Sequence, residues 1–313
     1  MAVHGVLLVD KPVGMTSFDV LRVLRKVLKT KSLGHAGTLD PFASGLLVVC
    51  VGDYTRFAGY LTDDDKVYAA TLRLGEQTNT DDCEGEILAS KPLSDDWQAQ
   101  LEASLDQFRG PIQQVPPQFS AIHVDGKRAY ALAREGKEVT LAAREVTVER
   151  LELDGFEEQG ARLIVKASKG TYIRSIARDI GQVMGCGGHL VGLRRLQSGA
   201  FLVERAHNLE ALKNAPDEAL RGLLQGREAL PMLPAIDVDE EGEKRLFFGQ
   251  PVSLETPCEP GLYVAYGRDG VLLGLVDVLV ESDDLGDHHS LKVRRMMPQA
   301  SIHAARACEE SSD

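Results

Sequence analysis

Short apolar strands and amphipathic helices follow one another along this chain without a regular βαβ rhythm, and this arrangement constrains the fold more than any other feature. Apolar residues at helical spacing between Val20 and Leu28, behind a cap at Thr16-Ser17, predict a helix. A second helix is expected after Thr171, and strands are predicted over residues 5–10, 46–51, 67–74, 146–153 and 163–167. Chains with this mixture fold as α+β proteins.

The length of 313 residues predicts two domains, because a catalytic domain of ordinary size leaves room for an appendage. Glu204 to Ile236 is acidic, is expected to be helical in part, and ends in two prolines, which is typical of a linker. Residues 261–278 then read as a hairpin that turns at Asp269-Gly270. We expect a first domain over residues 1–230, with an exposed insertion at 118–145, and a small β-domain over 235–313.

The charge distribution favours an RNA partner even though the net charge of -12 argues against one. Residues 161–196 contain seven basic residues and one acidic residue, whereas residues 61–110 carry acidic clusters. A basic track on an acidic body is typical of a surface that attracts a polyanion. Scattered, solvated charge is the alternative interpretation of the same composition.

Other classes of protein are not indicated by the composition. The longest purely apolar stretch, Leu46–Val51, is far shorter than the roughly 20 residues of a membrane helix. No signal-peptide pattern is present at the N-terminus, so we expect a cytoplasmic protein. The five cysteines include no C-x-x-C pair, and no phosphate-binding or dinucleotide glycine motif occurs. We therefore expect neither a metal nor a cofactor.

A polar loop over residues 31–41 separates the first helix from the apolar strand that follows. Asp40, which precedes Pro41, is most simply a turn residue when it is considered alone. The whole stretch Gly34–Leu47, GHAGTLDPFASGLL, resembles the catalytic-loop motif G-H-x-G-x-L-D-P-x-A-x-G-x-L of TruB-type pseudouridine synthases. The length of this match makes it far more specific than a short glycine motif.

Further segments resemble the other motifs of that family, in the same order. They are DKPVGMTS at 10–17, KVY at 66–68, PPQFSA at 116–121, SKGTYIR at 168–174 and LRRL at 193–196. This resemblance covers residues 5–205 and implies a pseudouridine-synthase catalytic fold, with a mixed, mainly antiparallel central sheet flanked by helices. The C-terminal part is similar to the small PUA-like β-domain of bacterial members in position, length and hairpin pattern.

The resemblance also implies a reaction, the isomerisation of the T-loop uridine at position 55 of tRNA to pseudouridine. Asp40 matches the nucleophile, and Arg174 matches the arginine that keeps this carboxylate ionised and oriented. Tyr68 matches the aromatic residue that lies against the extruded base. His35 matches a histidine that holds the everted nucleotides, and Tyr172 and Leu193 match residues lining the uracil pocket.

Several basic residues are predicted to contact the RNA. Lys11 and Lys169 lie in the matched motifs, and Arg128, Arg134 and Lys137 lie in the insertion, where a basic flap would meet phosphates. The expected partner is the T-arm of tRNA, recognised mainly by shape. We expect a monomer that needs no obligate protein partner.

Two alternatives remain open. One is a related synthase directed by a guide RNA, like dyskerin, although this chain lacks a Lys-rich tail. The other is a non-catalytic RNA-binding protein or tRNA-folding chaperone, although Asp40, Tyr68 and Arg174 are all retained. A turnover measurement combined with a binding measurement separates these alternatives.

Overall fold

The structure is a computed structural model that describes residues 3–120, 122–124, 127–134, 140–254, 256–283 and 286–309. Its strands, in chain order, are β1 Gly5–Lys11, β2 Leu33–His35, β3 Ser44–Val51, β4 Lys66–Leu74, β5 Glu76–Thr78, β6 Ile87–Ser90, β7 Gly110–Gln114, β8 His123–Val124, β9 Lys127–Arg128, β10 Arg144–Glu157, β11 Gly160–Ala167, β12 Gly188–Ser198, β13 Phe201–Leu202, β14 His207–Asn208, β15 Ala235–Val238, β16 Val252–Ser253, β17 Gly261–Gly267, β18 Leu272–Asp283 and β19 Gly286–Met296.

The α-helices lie between and after these strands. In chain order they are α1 Ser17–Val27, α2 Ala58–Thr62, α3 Trp97–Ser104, α4 Ala129–Arg134, α5 Ile173–Val183, α6 Leu209–Asn214, α7 Pro216–Arg221, α8 Gly226–Ala229, α9 Glu240–Phe247 and α10 Gln299–Glu309. Within the described ranges, no helix is both long enough and apolar enough to cross a membrane.

A large mixed sheet forms the centre of the molecule. Its strands follow the order β14-β1-β3-β12-β4-β11-β10-β7, with β2 beside β3 and β13 beside β12. The β1–β14 and β3–β12 pairs are parallel, and the other pairs of this sheet are antiparallel. The predicted α+β fold, with a mixed and mainly antiparallel sheet flanked by helices, is confirmed.

Helix α1 begins where the sequence predicted it. The Thr16 side chain accepts a hydrogen bond from the Asp19 backbone, and the Asp19 carboxylate accepts one from the Thr16 backbone, which completes a capping box. The apolar stripe of α1 is buried against the central sheet, at Val20, Leu21 and Leu24. The N-terminus of α1 is therefore fixed beside the loop that carries Asp40.

Strands β1 and β3 are covered on both faces, which explains why β3 is apolar at almost every position. Alternate residues such as Leu7 and Val49 pack with α1 and α6. Their neighbours, such as Leu8 and Val48, join the cluster that also contains the C-terminal strands. One hydrophobic core thus connects the central sheet to the C-terminal part of the chain.

The C-terminal part contains a five-stranded sheet in the order β15-β17-β18-β19-β16. The predicted hairpin is present as β17 and β18, and Asp269 lies in its turn, where its side chain accepts from the Val271 backbone. All strands of this sheet lie after residue 234, so they fall within the predicted second domain. The division into domains at residues 230–235 stays a prediction.

The interpretation of residues 204–236 as a linker is wrong. Its three short helices agree with the expectation of partial helix, but its strand β14 pairs with β1 at the edge of the central sheet. Leu209, Leu212 and Ala219 are buried with the residues that pack under α1. Most residues of these helices are exposed and many are polar, so the few buried apolar positions do not stand out in the sequence.

Candidate active site

The loop that carries Asp40 is held from two sides. The Ser17 hydroxyl, at the start of α1, accepts from the Leu39 backbone N–H at 2.9 Å and donates to the Leu39 carbonyl at 3.1 Å. The Gly14 N–H donates to the Pro41 carbonyl at 2.8 Å. These bonds fix the backbone directly before and after Asp40, so its carboxylate is presented from a rigid loop.

A buried arginine supports the same loop from within the sheet. Arg195, on β12, donates to the Leu46 carbonyl at 2.6 Å and lies 3.2 Å and 3.5 Å from the carbonyls of Gly37 and Thr38. Gly45 lies opposite it, with a φ of +99°, and a Cβ there would come 2.3 Å from the Arg195 carbonyl. The glycine and the arginine together let the loop approach β12 closely.

Lys11 belongs to this support rather than to an RNA-facing surface. Its side chain is fully buried, and Nζ donates to the carbonyls of Pro12, Met15 and Pro41 at 2.9, 2.6 and 3.4 Å. Burial lowers the pKa of Lys11 to about 8, while the nearby Asp40 carboxylate opposes this shift. The prediction that Lys11 contacts RNA does not fit this position, because no part of the side chain reaches the surface.

Arg174 meets Asp40 as the sequence predicted. It lies in the first turn of α5 with a side chain only 5% exposed, and Nε is 2.9 Å from Oδ2 of Asp40. The Nε–H does not point along a hydrogen bond to that oxygen, so the contact is a close ion pair. The terminal nitrogens donate to the carbonyls of Thr80 and Phe119, each at 3.0 Å. The guanidinium is thereby held in one orientation.

A second carboxylate on Arg174 was missed in the sequence. Asp82 is buried, and its Oδ2 lies 3.3 Å from Nη1 of Arg174. Its Oδ1 accepts from the Thr80 hydroxyl at 2.6 Å and from the Glu84 N–H at 3.0 Å. Asp82 stands in a turn-rich acidic stretch 92 positions before Arg174, where its local pattern indicated only solvated charge.

A second arginine–aspartate ion pair lies next to the pair of Arg174 and Asp82. Asp81 lies 3.1 Å from Arg178, one helical turn after Arg174, and burial raises the pKa of Asp81 to about 6. Two adjacent carboxylates of the loop after β5 therefore bind two arginines of α5. This pairing fixes α5 against the loop and keeps Arg174 beneath Asp40.

The surroundings of Asp40 raise the pKa of its carboxyl group. Burial is the largest cause and raises the pKa of Asp40, and the Asp82 carboxylate adds to this shift, whereas Arg174 and Lys11 oppose it. One third of the side chain, 33%, remains exposed. A carboxylate that is largely desolvated yet open on one side can approach a substrate and stabilise positive charge there.

Leu193 lines a cleft that also includes Phe42 and Ser44, which follow Asp40 in the chain, whereas Tyr68 is not among its lining residues. The cleft, of about 360 Å³, is lined by residues that include Phe42, Ala70 and Leu193, and Leu193 pairs with Ala70 across β12 and β4. Tyr68, two residues before Ala70 on β4, packs against the same hydrophobic cluster as Phe42. The predicted aromatic and apolar residues are thus collected on the sheet around the segment that follows Asp40.

The remaining predicted residues differ in their surroundings. His35 lies on β2, and burial lowers its pKa, which favours a neutral ring. Tyr172 caps α5, and the guanidinium of Arg144 lies 4.8 Å from its ring centroid. Lys169 is exposed and lies 3.0 Å from Asp63. The side chains of Arg128 and Arg134, and all of Lys137, lie outside the described residues.

The basic track between residues 161 and 196 does not form a free cationic surface. Each of its seven basic residues has a partner, supplied mostly by other elements of the chain. The partners are Asp154 and Glu157 for Arg162, Glu149 for Lys166, Asp63 for Lys169, Asp40 and Asp82 for Arg174, Asp81 and Asp179 for Arg178, Asp10 for Arg194, and backbone carbonyls for Arg195. In the part of the chain that the structure describes, no three His, Cys, Asp or Glu side chains are grouped to bind a metal.

Comparison with known proteins identifies the family of this chain. Residues 25–173 match the family described as "TruB family pseudouridylate synthase (N terminal domain)", and residues 174–230 match "tRNA pseudouridylate synthase B C-terminal domain". The chain belongs to the TruB family. It is therefore a pseudouridine synthase, an isomerase, and the resemblance found in the sequence motifs is confirmed.

Curated TruB relatives match most of the chain. The "tRNA pseudouridine synthase B" of Chromobacterium violaceum is 43% identical over 82% of this chain and 84% of its own length. The protein of the same name from Aromatoleum aromaticum is 46% identical, over 87% and 88% of the two chains. Each match spans more than four fifths of both chains.

Solved structures share the fold. A chain from the "Crystal Structure of a Cbf5-Nop10-Gar1 Complex" aligns with a TM-score of 0.72 and 25% identity, over 95% of this chain and 86% of that one. A chain from the "Structure of H/ACA RNP bound to a substrate RNA containing 2'-deoxyuridine" aligns with a TM-score of 0.70 and 24% identity, over 94% and 86%. The second likeness concerns the fold alone.

Proposed function

We propose that this TruB-family chain isomerises the uridine at position 55 in the T-loop of tRNA to pseudouridine, with Asp40 as the nucleophile. The curated relatives carry the name tRNA pseudouridine synthase B, which supports tRNA as the substrate. The observation that carries the assignment of Asp40 is its ion pair with the buried Arg174, on a loop that is otherwise immobilised.

The reaction conserves every atom of the nucleoside. The C1′–N1 bond breaks, the freed uracil rotates, and C5 forms a new bond to C1′. The proton on C5 then leaves to solvent, and N1 gains a proton. No electrons are exchanged with another molecule, so the reaction requires no cofactor.

Asp40 supplies the charge that this reaction needs. Departure of the base leaves positive charge on the ribose, and a carboxylate below C1′ stabilises that charge electrostatically or captures it covalently. Arg174 favours the ionised form of Asp40, because an adjacent cation lowers the pKa of a carboxyl group. Asp82 in turn orients Arg174 through the Nη1 contact.

The residues around the cleft hold the extruded nucleotide. Tyr68 stacks on the uracil and assists proton transfer, and Tyr172 and Leu193 line the pocket, where stacking is worth about 1–3 kcal/mol per base. His35, held neutral by burial, contacts the everted nucleotides. Lys169, Arg128 and Arg134 meet phosphates of the T-arm, and the PUA-like C-terminal domain adds further RNA contact. We expect a cytoplasmic monomer.

A guide-directed synthase is the second candidate, because the fold also aligns with a chain from a Cbf5-Nop10-Gar1 complex. The higher identity to relatives named tRNA pseudouridine synthase B, over more than four fifths of both chains, favours the stand-alone activity. The two candidates differ in one requirement, since a guide-directed enzyme needs an added RNA to select its uridine.

The experiment is tritium release from a tRNA transcript labelled with [5-³H]uridine, using the purified chain without a guide RNA or protein partner. Isomerisation at C5 releases the label to water. Release is expected from the normal transcript and not from a matched transcript with cytidine in place of the T-loop uridine. Equal release from both transcripts would contradict the assigned site. No release from either, with tRNA still bound, would contradict stand-alone catalysis.

A further inference from the structure

The outer face of α1 carries an exposed aromatic ring among basic side chains. We call Phe18, Arg22, Arg25 and Lys26 the α1 cationic face. Phe18 is 53% exposed although a large apolar side chain usually turns inward. Between residues 16 and 31 the chain holds five basic residues and one acidic residue. This face is therefore both basic and partly apolar, on a protein whose net charge is -12.

The ring organises the charges around it. The guanidinium carbons of Arg22 and Arg25 lie 5.5 Å and 5.1 Å from the centroid of the Phe18 ring. Contacts of this kind stabilise the arginine rotamers, because a cation is attracted to the face of an aromatic ring. Two planar guanidinium groups are thus held at the surface before any ligand arrives, which reduces the entropy lost on binding an anion.

Carboxylates of the described residues neutralise the positive charge of this face only in part. Among the described residues, no carboxylate forms an ion pair with Arg25 or Lys26, while Arg22 pairs with Asp19 at 3.1 Å. The basic residues between 161 and 196 are all partnered, as described above. Arg25 and Lys26 therefore need not break an ion pair with a carboxylate before they bind an external anion, unlike most of the basic residues between 161 and 196.

A groove extends this face toward α6 and α7. It has a volume of about 380 Å³ and is lined by Arg22, Val23, Lys26, Val27, Lys213 and Pro216. Lys213 brings another ammonium group to the opposite wall, where it pairs with Glu210 at 2.6 Å. Basic groups on both walls of a groove suit a chain of phosphates better than a single small anion.

The α1 cationic face also starts next to the reacting centre. The Ser17 hydroxyl bonds the backbone of Leu39, immediately before Asp40, and α1 extends from there for 11 residues, or about 16 Å. The first residues of the α1 cationic face therefore lie close in the structure to the loop that carries Asp40.

We propose that the α1 cationic face binds backbone phosphates of the same tRNA whose uridine lies at Asp40. This inference rests on the proposed function, since it takes tRNA as the substrate. The phosphates belong either to the T-stem or to the tRNA body beyond it, and both offer the same chemistry. Such contacts position the RNA and strengthen binding without reading sequence.

The test compares equilibrium binding of full-length tRNA and of an isolated T-arm hairpin over a range of salt concentrations. The variant R25E/K26E removes the two cations that lack a carboxylate partner, and R25Q/K26Q removes them without adding negative charge. The control is K91E/R150E, which reverses two exposed charges away from α1. We expect R25E/K26E to weaken tRNA binding at least about tenfold and both α1 variants to reduce the salt slope by about 2, while the control leaves both unchanged.

The two RNAs identify the phosphates involved. If the α1 variants bind only full-length tRNA more weakly, the phosphates lie outside the T-arm. If they bind both RNAs more weakly, the phosphates lie in the T-stem. If the α1 variants bind both RNAs with wild-type affinity and wild-type salt slope, the inference is wrong. The face would then contact an acidic protein partner or only solvent. An equal effect of K91E/R150E would also overturn the inference, as a general effect of charge. Tritium release by the wild-type chain, measured in parallel, reports separately on the proposed function.

Discussion

Arg174 places its Nε atom 2.9 Å from Oδ2 of Asp40 while its terminal nitrogens bind the carbonyls of Thr80 and Phe119. Three distant segments of the chain therefore meet at one guanidinium. Because the carbonyls and Asp82 occupy the terminal nitrogens, the guanidinium cannot turn away from Asp40. The ion pair is a fixed part of the fold and does not depend on a bound substrate.

Arg174→Lys is expected to lower kcat by about 10²-fold or more, the usual effect of removing one group that stabilises charge in a transition state. Lysine keeps the charge but cannot make the four contacts of the guanidinium. Since Arg174 lowers the pKa of Asp40, a weaker partner lets that pKa rise. The acid limb of the pH–rate profile should therefore move to higher pH, which single-turnover tritium release across pH would measure.

Arg178→Lys is the matched control for that variant. Arg178 lies one turn along α5 and pairs with Asp81 as Arg174 pairs with Asp82. The control should lose some stability, seen as a lower melting temperature. The acid limb of its pH–rate profile should stay at the wild-type pH. An equal shift of the limb in both variants would indicate a general loosening of α5 rather than a direct effect on Asp40.

Asp82→Asn tests the second carboxylate, which sequence reasoning did not find. The amide can still accept from Thr80 and Glu84 but no longer pairs with Arg174 as a charge. We expect kcat to fall about ten- to a hundredfold, as for the loss of a hydrogen bond to a charged group, worth about 1.5–3 kcal/mol. Because the Asp82 charge raises the pKa of Asp40, its removal should move the acid limb to lower pH. A shift of the acid limb to higher pH, as expected for Arg174→Lys, would contradict this electrostatic explanation.

Lys11→Met and Lys169→Met should behave oppositely, although the sequence suggested RNA contact for both. Loss of the Lys11 ammonium leaves the two carbonyls of Pro12 and Met15 without this donor, so the free energy of unfolding should fall by about 2–6 kcal/mol, at roughly 1–3 kcal/mol for each carbonyl. Lys169 is exposed, and its ion pair with Asp63 contributes at most about 1 kcal/mol. Its variant should unfold like wild type but bind tRNA more weakly. Urea unfolding and filter binding distinguish the two outcomes.

Arg195→Lys should reduce kcat with little change in KM. The arginine donates to carbonyls on both sides of the Asp40 loop and is not among the residues that line the cleft, so it positions the nucleophile. Lysine retains the charge but not the bidentate reach. A rise in KM with an unchanged kcat would instead indicate an RNA contact.

The sequence was informative wherever function depends on a continuous stretch. The capped helix α1, the Asp40 loop and the hairpin at Asp269 each follow from neighbouring residues, and the structure has them at the expected places. The α+β class also follows, because strand and helix periodicities are local properties.

Contacts between distant segments could not be obtained in this way. The Asp82–Arg174 contact spans 92 positions, and Arg195 reaches Leu46 across 149. Summing charge along residues 161–196 suggested a basic surface, but ion pairs across strands and helices neutralise it. Helix α1, whose basic face is most simply interpreted from the sequence as solvated, carries Arg25 and Lys26, which have no carboxylate partner among the described residues.

The contact between the C-terminal part and the central sheet is another feature that the sequence does not reveal. A separate second domain over residues 235–313 would predict that its deletion weakens tRNA binding and spares the chemical step. However, Val264 and Leu275 share one hydrophobic core with Leu8 and Val48 of the central sheet. Removing these residues would expose that core, so point substitutions on the C-terminal surface are the better test.

The most direct test of the central claim is single-turnover tritium release by Asp40→Asn, with tRNA binding measured on the same preparation. Asparagine preserves the shape of the side chain and removes its charge. We expect no detectable release and wild-type tRNA affinity, while the control Asp106→Asn, an exposed acid that is not among the residues lining the cleft, keeps full turnover. Release by Asp40→Asn at a rate near that of wild type would contradict the assignment of Asp40 as the nucleophile.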